Sequence, residues 1–202
     1  MVKNIVFDLG GVLIDFDPDR TLARFFRTED AQQVHRVLFE GDLWPQLDLG
    51  RMSLLQIADE ACKTLPAHLH TALRDMLGRW WSFMPPIDGM EEFVRALKEN
   101  GYRVYLLSNT SDDLYKNFQN YPVLSLMDGV IASCDYGVLK PDPRLYRALY
   151  AKYALDPSEC FFVDDMPQNI EGAAKTGMTG FCFAQRNLDK LREAMRKEGI
   201  TI

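Results

Sequence analysis

The fold is decided by the stretch Lys3-Asn4-Ile5-Val6-Phe7-Asp8-Leu9-Gly10-Gly11-Val12-Leu13. Ile5 to Phe7 is a short apolar run rich in β-branched and aromatic side chains, which is typical of a strand buried on both faces. Asp8 ends the run, and the two glycines after it let the chain turn and bring backbone N–H groups near the carboxylate. Because open α/β sheets bind ligands at the carboxyl ends of their strands, Asp8 is predicted to be a nucleophile or a metal ligand. The alternative is an aspartate that only caps a turn.

The composition is that of a globular protein with one core, or one core and a small inserted domain. The chain has 202 residues, of which 47% are hydrophobic and 26% are charged. The net charge of −6 argues against nucleic-acid binding, which requires clustered Lys and Arg. A phosphate ligand would therefore need a local positive site. No apolar run approaches the roughly 18 residues of a membrane span, so no membrane partner is expected.

The start of the chain and its cysteines predict a cytoplasmic location. The N-terminus lacks the charged-then-apolar layout of a signal peptide. The cysteines form no CxxC pair, and those near apolar strands are expected to behave as small hydrophobic side chains. We therefore expect reduced thiols at all four positions, Cys62, Cys134, Cys160 and Cys182.

After the first strand, the sequence predicts a block of helices without a strand. Ser53 followed by Gln56, for example, is the pattern of a capping box that begins a helix. Because this block follows the carboxyl end of the first strand, it is expected to form a lid or specificity domain at the ligand side. The predicted division is a core of residues 1–14 and 84–202 and a helical cap of residues 15–83.

Beyond residue 100, strands and helices alternate, which indicates βαβ units and a parallel sheet. Asp88 is expected to cap the helix that precedes the second strand. The predicted fold class is α/β, a Rossmann-like parallel sheet core with an inserted small all-helical cap domain. The predicted strands are residues 3–8, 103–107, 129–132, 160–163 and 179–183.

Polar residues follow several of these strands at the same predicted edge of the sheet: Asp8, Ser108-Asn109, Lys140 and Asp164-Asp165. A Ser-Asn pair or a Lys-Pro dipeptide alone is more often a helix cap or a turn. The two adjacent aspartates are the stronger signal, because burying two like charges is costly unless a cation neutralises them.

In this order and spacing, the four groups resemble the haloacid dehalogenase (HAD) superfamily of hydrolases, in the branch with a helical cap inserted after the first strand. The resemblance extends over the whole chain. It implies Mg²⁺-dependent hydrolysis of a small phosphomonoester through an aspartyl-phosphate on Asp8. The matching segments are Phe7-Asp8-Leu9-Gly10-Gly11-Val12-Leu13, Leu107-Ser108-Asn109, Lys140-Pro141-Asp142-Pro143 and Val163-Asp164-Asp165-Met166-Pro167-Gln168-Asn169.

The resemblance assigns a role to each matching residue. Asp8 and Lys140 are the expected catalytic residues, since a carboxylate nucleophile splits the displacement into two steps and a lysine adds a fixed positive charge. Mg²⁺ prefers oxygen ligands. The expected metal ligands are Asp8, the carbonyl of Gly10, and Asp164 or Asp165. The expected phosphate-binding groups are the Ser108 hydroxyl, the Asn109 amide and the backbone N–H groups of Gly10 and Gly11.

Gly10 departs from the family pattern, because most phosphatases of this family carry a second aspartate there as general acid and base. A glycine cannot transfer a proton, and such help is typically worth about 10²–10⁴-fold. The same glycine occurs in the α-D-glucose-1-phosphatase-like branch of sugar phosphatases. A leaving group of low pKa, such as an anomeric hydroxyl, needs a general acid less. A sugar phosphate is therefore a candidate substrate.

The acidic stretch after the first motif offers other proton donors. Asp15, Asp17 and Asp19 are candidates, with turn and cap roles as the alternative. Arg20 is a candidate for binding the substrate anion, with a solvated helix arginine as the alternative.

Two other functions stay open. A 2-haloacid dehalogenase shares the nucleophile, the Ser-Asn pair and the lysine, but such enzymes need no metal and lack an acidic pair like Asp164-Asp165. The other is a catalytically weak HAD-fold binding or regulatory protein, against which the intact Asp8 and Lys140 argue. The sequence does not indicate the physiological substrate or the oligomeric state.

Overall fold

The computed structural model describes residues 1–202 and contains one five-stranded parallel sheet. The order across the sheet is β3-β2-β1-β4-β5, so the first strand is central. All five predicted strands and the predicted fold class are confirmed. The strands are β1 (Asn4–Phe7), β2 (Arg103–Ser108), β3 (Gly129–Ala132), β4 (Cys160–Asp164) and β5 (Thr179–Cys182).

Eleven α-helices accompany the sheet. Five of them lie between β1 and residue 84, and no strand occurs in that stretch. We call residues 15–83 the helical insertion; its status as a separate cap domain stays a prediction. Its helices are α1 (Pro18–Leu22), α2 (Thr28–Phe39), α3 (Leu43–Asp48), α4 (Leu54–Cys62) and α5 (His70–Gly78). The others are α6 (Met90–Glu99), α7 (Asp113–Asn117), α8 (Ser133–Tyr136), α9 (Pro143–Tyr153), α10 (Pro167–Ala174) and α11 (Leu188–Lys197).

The register of the central strands determines where the polar residues meet. Phe7 pairs with Leu106 of β2 and with Val163 of β4. The order of the strands reverses at β1: β2 and β3 lie on one side of it, and β4 and β5 lie on the other. Asp8 therefore lies at the switch point of the sheet, where open α/β folds bind ligands.

Both faces of the sheet are covered by apolar side chains. Ile5 and Phe7 belong to a cluster of 39 buried residues that includes the apolar residues of the helical insertion. Val6, which points to the opposite face, belongs to a second cluster of 13 residues. The insertion and the sheet thus share one hydrophobic core, and this fixes the insertion above the carboxyl end of β1.

One predicted helix cap is wrong. The helix before β2 begins at Met90, and its N-cap is Gly89 rather than Asp88. Gly89 has a φ of +78°, and no side chain caps the helix. The glycine lets the chain enter the helix through a tight turn in which the Met90 N–H donates to the Ile87 carbonyl.

Two further expectations concern membrane insertion and the state of the cysteines. None of its helices has both the length and the apolar character needed to cross a membrane. All four cysteines are free thiols in the structure. The cytoplasmic location stays a prediction.

Candidate active site

A cavity of about 240 Å³ lies between the carboxyl end of the sheet and the helical insertion. The core contributes mostly polar residues, among them Asp8, Ser108, Asn109, Lys140 and Asp165. The insertion contributes a mostly apolar and aromatic wall. Its residues are Phe16, Trp44, Leu47, Asp48, Leu54, Trp80 and Trp81.

A buried lysine lies between two buried aspartates at the polar end of this cavity. The Lys140 Nζ is 2.8 Å from Asp8 Oδ1 and 2.6 Å from Asp164 Oδ2, and the lysine side chain is 1% exposed. The carboxyl ends of β1 and β4 position the aspartates, and the loop before α9 supplies the lysine. The arrangement places one positive charge against a group of carboxylates, as the sequence predicts.

Burial and mutual charge shift the pKa values of these groups. Burial raises the pKa of Asp8 to about 7; Lys140 opposes this rise, and Asp164 adds to it. Burial alone would lower the pKa of Lys140, but the charges of Asp8 and Asp164 raise it above its usual value. The lysine therefore stays protonated and favours the ionised form of the Asp8 carboxylate beside it.

Two asparagines hold this group in place. The Lys140 N–H donates to Asn109 Oδ1 at 2.8 Å, and Asn109 Nδ2 donates to the Lys140 carbonyl at 3.2 Å. Asn169 Nδ2 donates to both oxygens of Asp164, at 3.0 and 3.1 Å. Asn109 thus orients the lysine loop. Asn169 belongs to the fourth motif, but sequence reasoning gave it no role.

The carboxylates of Asp8, Asp164 and Asp165 could hold a metal ion. One oxygen of each lies within 4.8 Å of the other two. Both oxygens of Asp164 already accept hydrogen bonds, from Lys140, Asn169 and the Met166 N–H. The Asp165 carboxylate accepts no hydrogen bond from another residue, and burial together with Asp164 raises its pKa. An unpaired carboxylate in such a group is suited to a hard cation with oxygen ligands.

The structure does not support a phosphate-binding role for Gly11. Its N–H donates to the Ile14 carbonyl at 2.8 Å, so it is not available to a ligand. Gly11 has a φ of +73°, and a Cβ there would lie 2.2 Å from Asp165 Oδ2. The residue must be glycine so that the turn can form and the Asp165 carboxylate can approach. Gly10 lines the cavity, and its N–H donates to no protein acceptor.

Replacing Gly11 by alanine is expected to lower the free energy of unfolding by about 1–3 kcal/mol. The new side chain would be held at positive φ and would displace the Asp165 carboxylate. Urea unfolding measures the change. Gly78→Ala is the control, because Gly78 ends a helix and has open space around it. Equal stability of the two variants would contradict the close packing of Asp165 against Gly11.

Arg20 and the acidic residues before it do not line the cavity. Arg20 pairs with Asp15 at 2.5 Å, and Asp15 also pairs with Arg186. Asp17 caps α1 by accepting from the Arg20 N–H, and Asp19 lies beside His35. Their positions are therefore those of turn, cap and surface residues.

Asp48 is a cavity residue that sequence reasoning missed. It is the last residue of α3 in the helical insertion. Burial raises the pKa of Asp48 to about 7; the charge of Asp8 also raises it, and that of Lys140 lowers it. Nothing in the local sequence distinguishes this aspartate from the other acidic residues of the insertion, because its position above Asp8 results from packing between distant segments.

The fold and the site agree with the comparison to known protein families. A family model of haloacid dehalogenase-like hydrolases matches residues 2–177. The chain therefore belongs to the haloacid dehalogenase-like hydrolases, and it is an enzyme of the hydrolase class.

Three similar proteins illustrate the range of this family. A D-ribitol-5-phosphate phosphatase of Bacteroides thetaiotaomicron is 28% identical over 90% of this chain and 91% of its own. An (S)-2-haloacid dehalogenase of Burkholderia cepacia is 30% identical over 60% of this chain and 55% of its own. Among solved structures, a HAD family enzyme of B. thetaiotaomicron in complex with magnesium and inorganic phosphate has a TM-score of 0.74. It is 26% identical, and the match covers 90% of this chain and 93% of that one.

Proposed function

We propose that this protein is a Mg²⁺-dependent phosphatase that hydrolyses a small phosphomonoester through an aspartyl-phosphate on Asp8. The observation that carries the proposal is the placement of Lys140 between Asp8 and Asp164, with the unpaired carboxylate of Asp165 beside them. The 28% identity to a phosphatase over nine-tenths of the chain supports the same reaction.

Asp8 is oriented for attack by the contacts of one of its oxygens. Oδ1 accepts from the Leu9 N–H at 2.7 Å and from Lys140 Nζ at 2.8 Å. Oδ2 has no hydrogen-bond partner and is the oxygen that we assign to attack on phosphorus. A carboxylate nucleophile forms a covalent intermediate and splits one difficult displacement into two easier steps.

The remaining core residues hold the metal and the phosphoryl group. Mg²⁺, when bound, supplies the positive charge that lets a carboxylate approach a phosphate dianion. Its proposed protein ligands are Asp8, the Gly10 carbonyl and Asp165, since the oxygens of Asp164 are bonded to Lys140 and Asn169. The proposed phosphate-binding groups are the Ser108 hydroxyl, the second Asn109 amide hydrogen and the Gly10 N–H.

The helical insertion is proposed to act as the cap over the substrate. Its wall would contact the alcohol part of the ester and exclude water from the phosphoryl group. The wall is mostly apolar and aromatic, and Asp48 is its charged residue. A sugar or polyol phosphate stays a candidate, because the related phosphatase is named for D-ribitol 5-phosphate.

Hydrolysis of p-nitrophenyl phosphate is the test of this proposal. EDTA is expected to lower turnover by about 10³-fold or more, because metal charge stabilisation is worth several kcal/mol. Added Mg²⁺ should restore the full rate. Release of chloride from 2-chloropropionate is measured in parallel, since a dehalogenase relative exists. Turnover of the haloacid but not of the phosphate would replace the proposal with the dehalogenase function. Thermal stabilisation by Mg²⁺ and phosphate without any turnover would indicate a binding protein.

A further inference from the structure

An acidic side chain of the helical insertion, Asp48, lies on the wall of the cavity opposite the core residues. Asp48 lines the same cavity as Asp8 and Lys140. Neither side-chain oxygen of Asp48 has a hydrogen-bond or ion-pair partner in the protein, whereas its backbone carbonyl accepts a hydrogen bond from the Ser133 hydroxyl. It is thus an acidic side chain of the insertion that faces the site and has no structural partner.

Contacts with the core hold this part of the insertion in place. The Ser133 Oγ of α8 donates to the Asp48 carbonyl at 2.5 Å and accepts from the Thr110 N–H at 2.9 Å. Two residues further, Gly50 has a φ of +70°, and a Cβ there would lie 2.8 Å from the Cys134 carbonyl oxygen. The backbone around Asp48 is therefore tied, through Ser133, to the loop after β2, which begins with the proposed phosphate-binding residue Asn109.

The surroundings of Asp48 suit a group that exchanges protons. The wall of the cavity that carries Asp48 also includes the apolar side chains of Trp44, Leu47 and Trp80. An apolar environment favours the neutral carboxyl group, which can donate a proton to a leaving oxygen. Catalytic carboxyl groups work best when their protonated and ionised forms are both accessible near the working pH.

We propose that Asp48 is the general acid and general base of the reaction, acting from the insertion in place of an aspartate at position 10. This inference rests on the proposed phosphatase function. In the first step, Asp8 Oδ2 forms a bond to phosphorus while the bond to the ester oxygen breaks. The Asp48 carboxyl gives its proton to that oxygen, which leaves as the alcohol. In the second step, the Asp48 carboxylate takes a proton from water as the water oxygen attacks phosphorus, and Asp8 is released as a carboxylate.

The dependence on the leaving group tests this role. We would measure kcat/KM for p-nitrophenyl phosphate and for phenyl phosphate, whose rings are similar but whose leaving groups differ greatly in acidity. Asp48→Asn is expected to lower kcat/KM for phenyl phosphate by about 10²–10⁴-fold, the usual worth of general acid catalysis. The loss on p-nitrophenyl phosphate should be at least about tenfold smaller, since p-nitrophenolate leaves without protonation. Asp48→Glu is expected to recover part of the loss.

Asp42→Asn is the matched control, because Asp42 precedes the same helix, is exposed and caps nothing. It should change neither rate. An equal loss on both esters in Asp48→Asn, or no loss on either, would overturn the role of Asp48 while leaving the phosphatase function intact. Failure of the wild-type protein to hydrolyse either ester would overturn both proposals.

Discussion

Asp8→Asn is expected to reduce Mg²⁺-dependent hydrolysis of p-nitrophenyl phosphate by about 10⁴-fold or more, the scale of losing a covalent nucleophile. An amide oxygen cannot form the proposed phosphoryl ester, and the substitution also removes the negative charge of a proposed metal ligand. The variant should fold normally. Burial raises the pKa of Asp8 to about 7, so ionisation of this group destabilises the folded state as the pH rises through that value. A neutral asparagine avoids this cost, and Lys140 keeps its contact with Asp164 at 2.6 Å.

The proposed aspartyl-phosphate can be tested directly by mass. The wild-type protein, mixed with substrate and Mg²⁺ and quenched in acid, should carry one phosphoryl group by intact mass, and Asp8→Asn should carry none. Asp42→Asn, which alters an exposed carboxylate outside the cavity, should behave as the wild type does. Turnover by Asp8→Asn within about tenfold of the wild-type rate would mean that water attacks the phosphate directly.

Lys140→Met is expected to have the second-largest effect, on stability as well as on activity. The lysine is 1% exposed and contacts Asp8 and Asp164. Removing one partner from a buried ion pair typically costs about 3–5 kcal/mol, because the remaining charges are left without compensation. We also expect kcat to fall by about 10²–10³-fold, because a fixed charge that stabilises the transferring phosphoryl group is lost.

The loss of stability in Lys140→Met is expected to depend on pH because of the pKa of Asp8. Without the lysine, that pKa rises further above the 3.8 of an unperturbed aspartate. The folded variant then binds more protons than the unfolded chain, so its stability decreases as the pH rises. Urea unfolding should show a small difference from the wild type near the unperturbed pKa and a large one above about pH 7.

Magnesium provides a second measurement on the same variant. A bound divalent cation would replace part of the missing positive charge, so Mg²⁺ should raise the Tm of Lys140→Met more than that of the wild type. Lys175→Met is the control, because Lys175 is exposed and forms no ion pair. Wild-type stability of Lys140→Met at high pH would contradict the assignment of Lys140 as the counter-ion of these carboxylates.

The sequence alone determined the sheet and the polar residues at its edge. A run such as Ile5 to Phe7 is apolar at every position because both faces of the strand are covered, and that pattern is local. Parallel strands place their carboxyl ends together, so predicting the strands was enough to predict that Asp8, Ser108 and Asp164 meet. The glycines after Asp8 were also correctly interpreted as residues of a sharp turn.

Tertiary structure decided which groups near the site are free to act. The Gly11 N–H donates to the Ile14 carbonyl, and the oxygens of Asp164 accept hydrogen bonds from Lys140 and Asn169. Of the two adjacent aspartates, only Asp165 therefore has a carboxylate that accepts no hydrogen bond from another residue. These bonds connect segments far apart in the chain, and a residue's type does not reveal whether its hydrogen bonds are already satisfied.

The position of Asp48 depends on tertiary structure to the same extent. Asp48 lies in the same cavity as Asp8 because the helical insertion packs on the sheet. The Ser133 hydroxyl, 85 residues further along the chain, also donates a hydrogen bond to the Asp48 carbonyl. Helical periodicity predicts which face of an inserted helix is buried, but not which core residue lies beneath it. Local patterns therefore determined the elements and the core of the site, whereas long-range packing determined which residue of the insertion completes it.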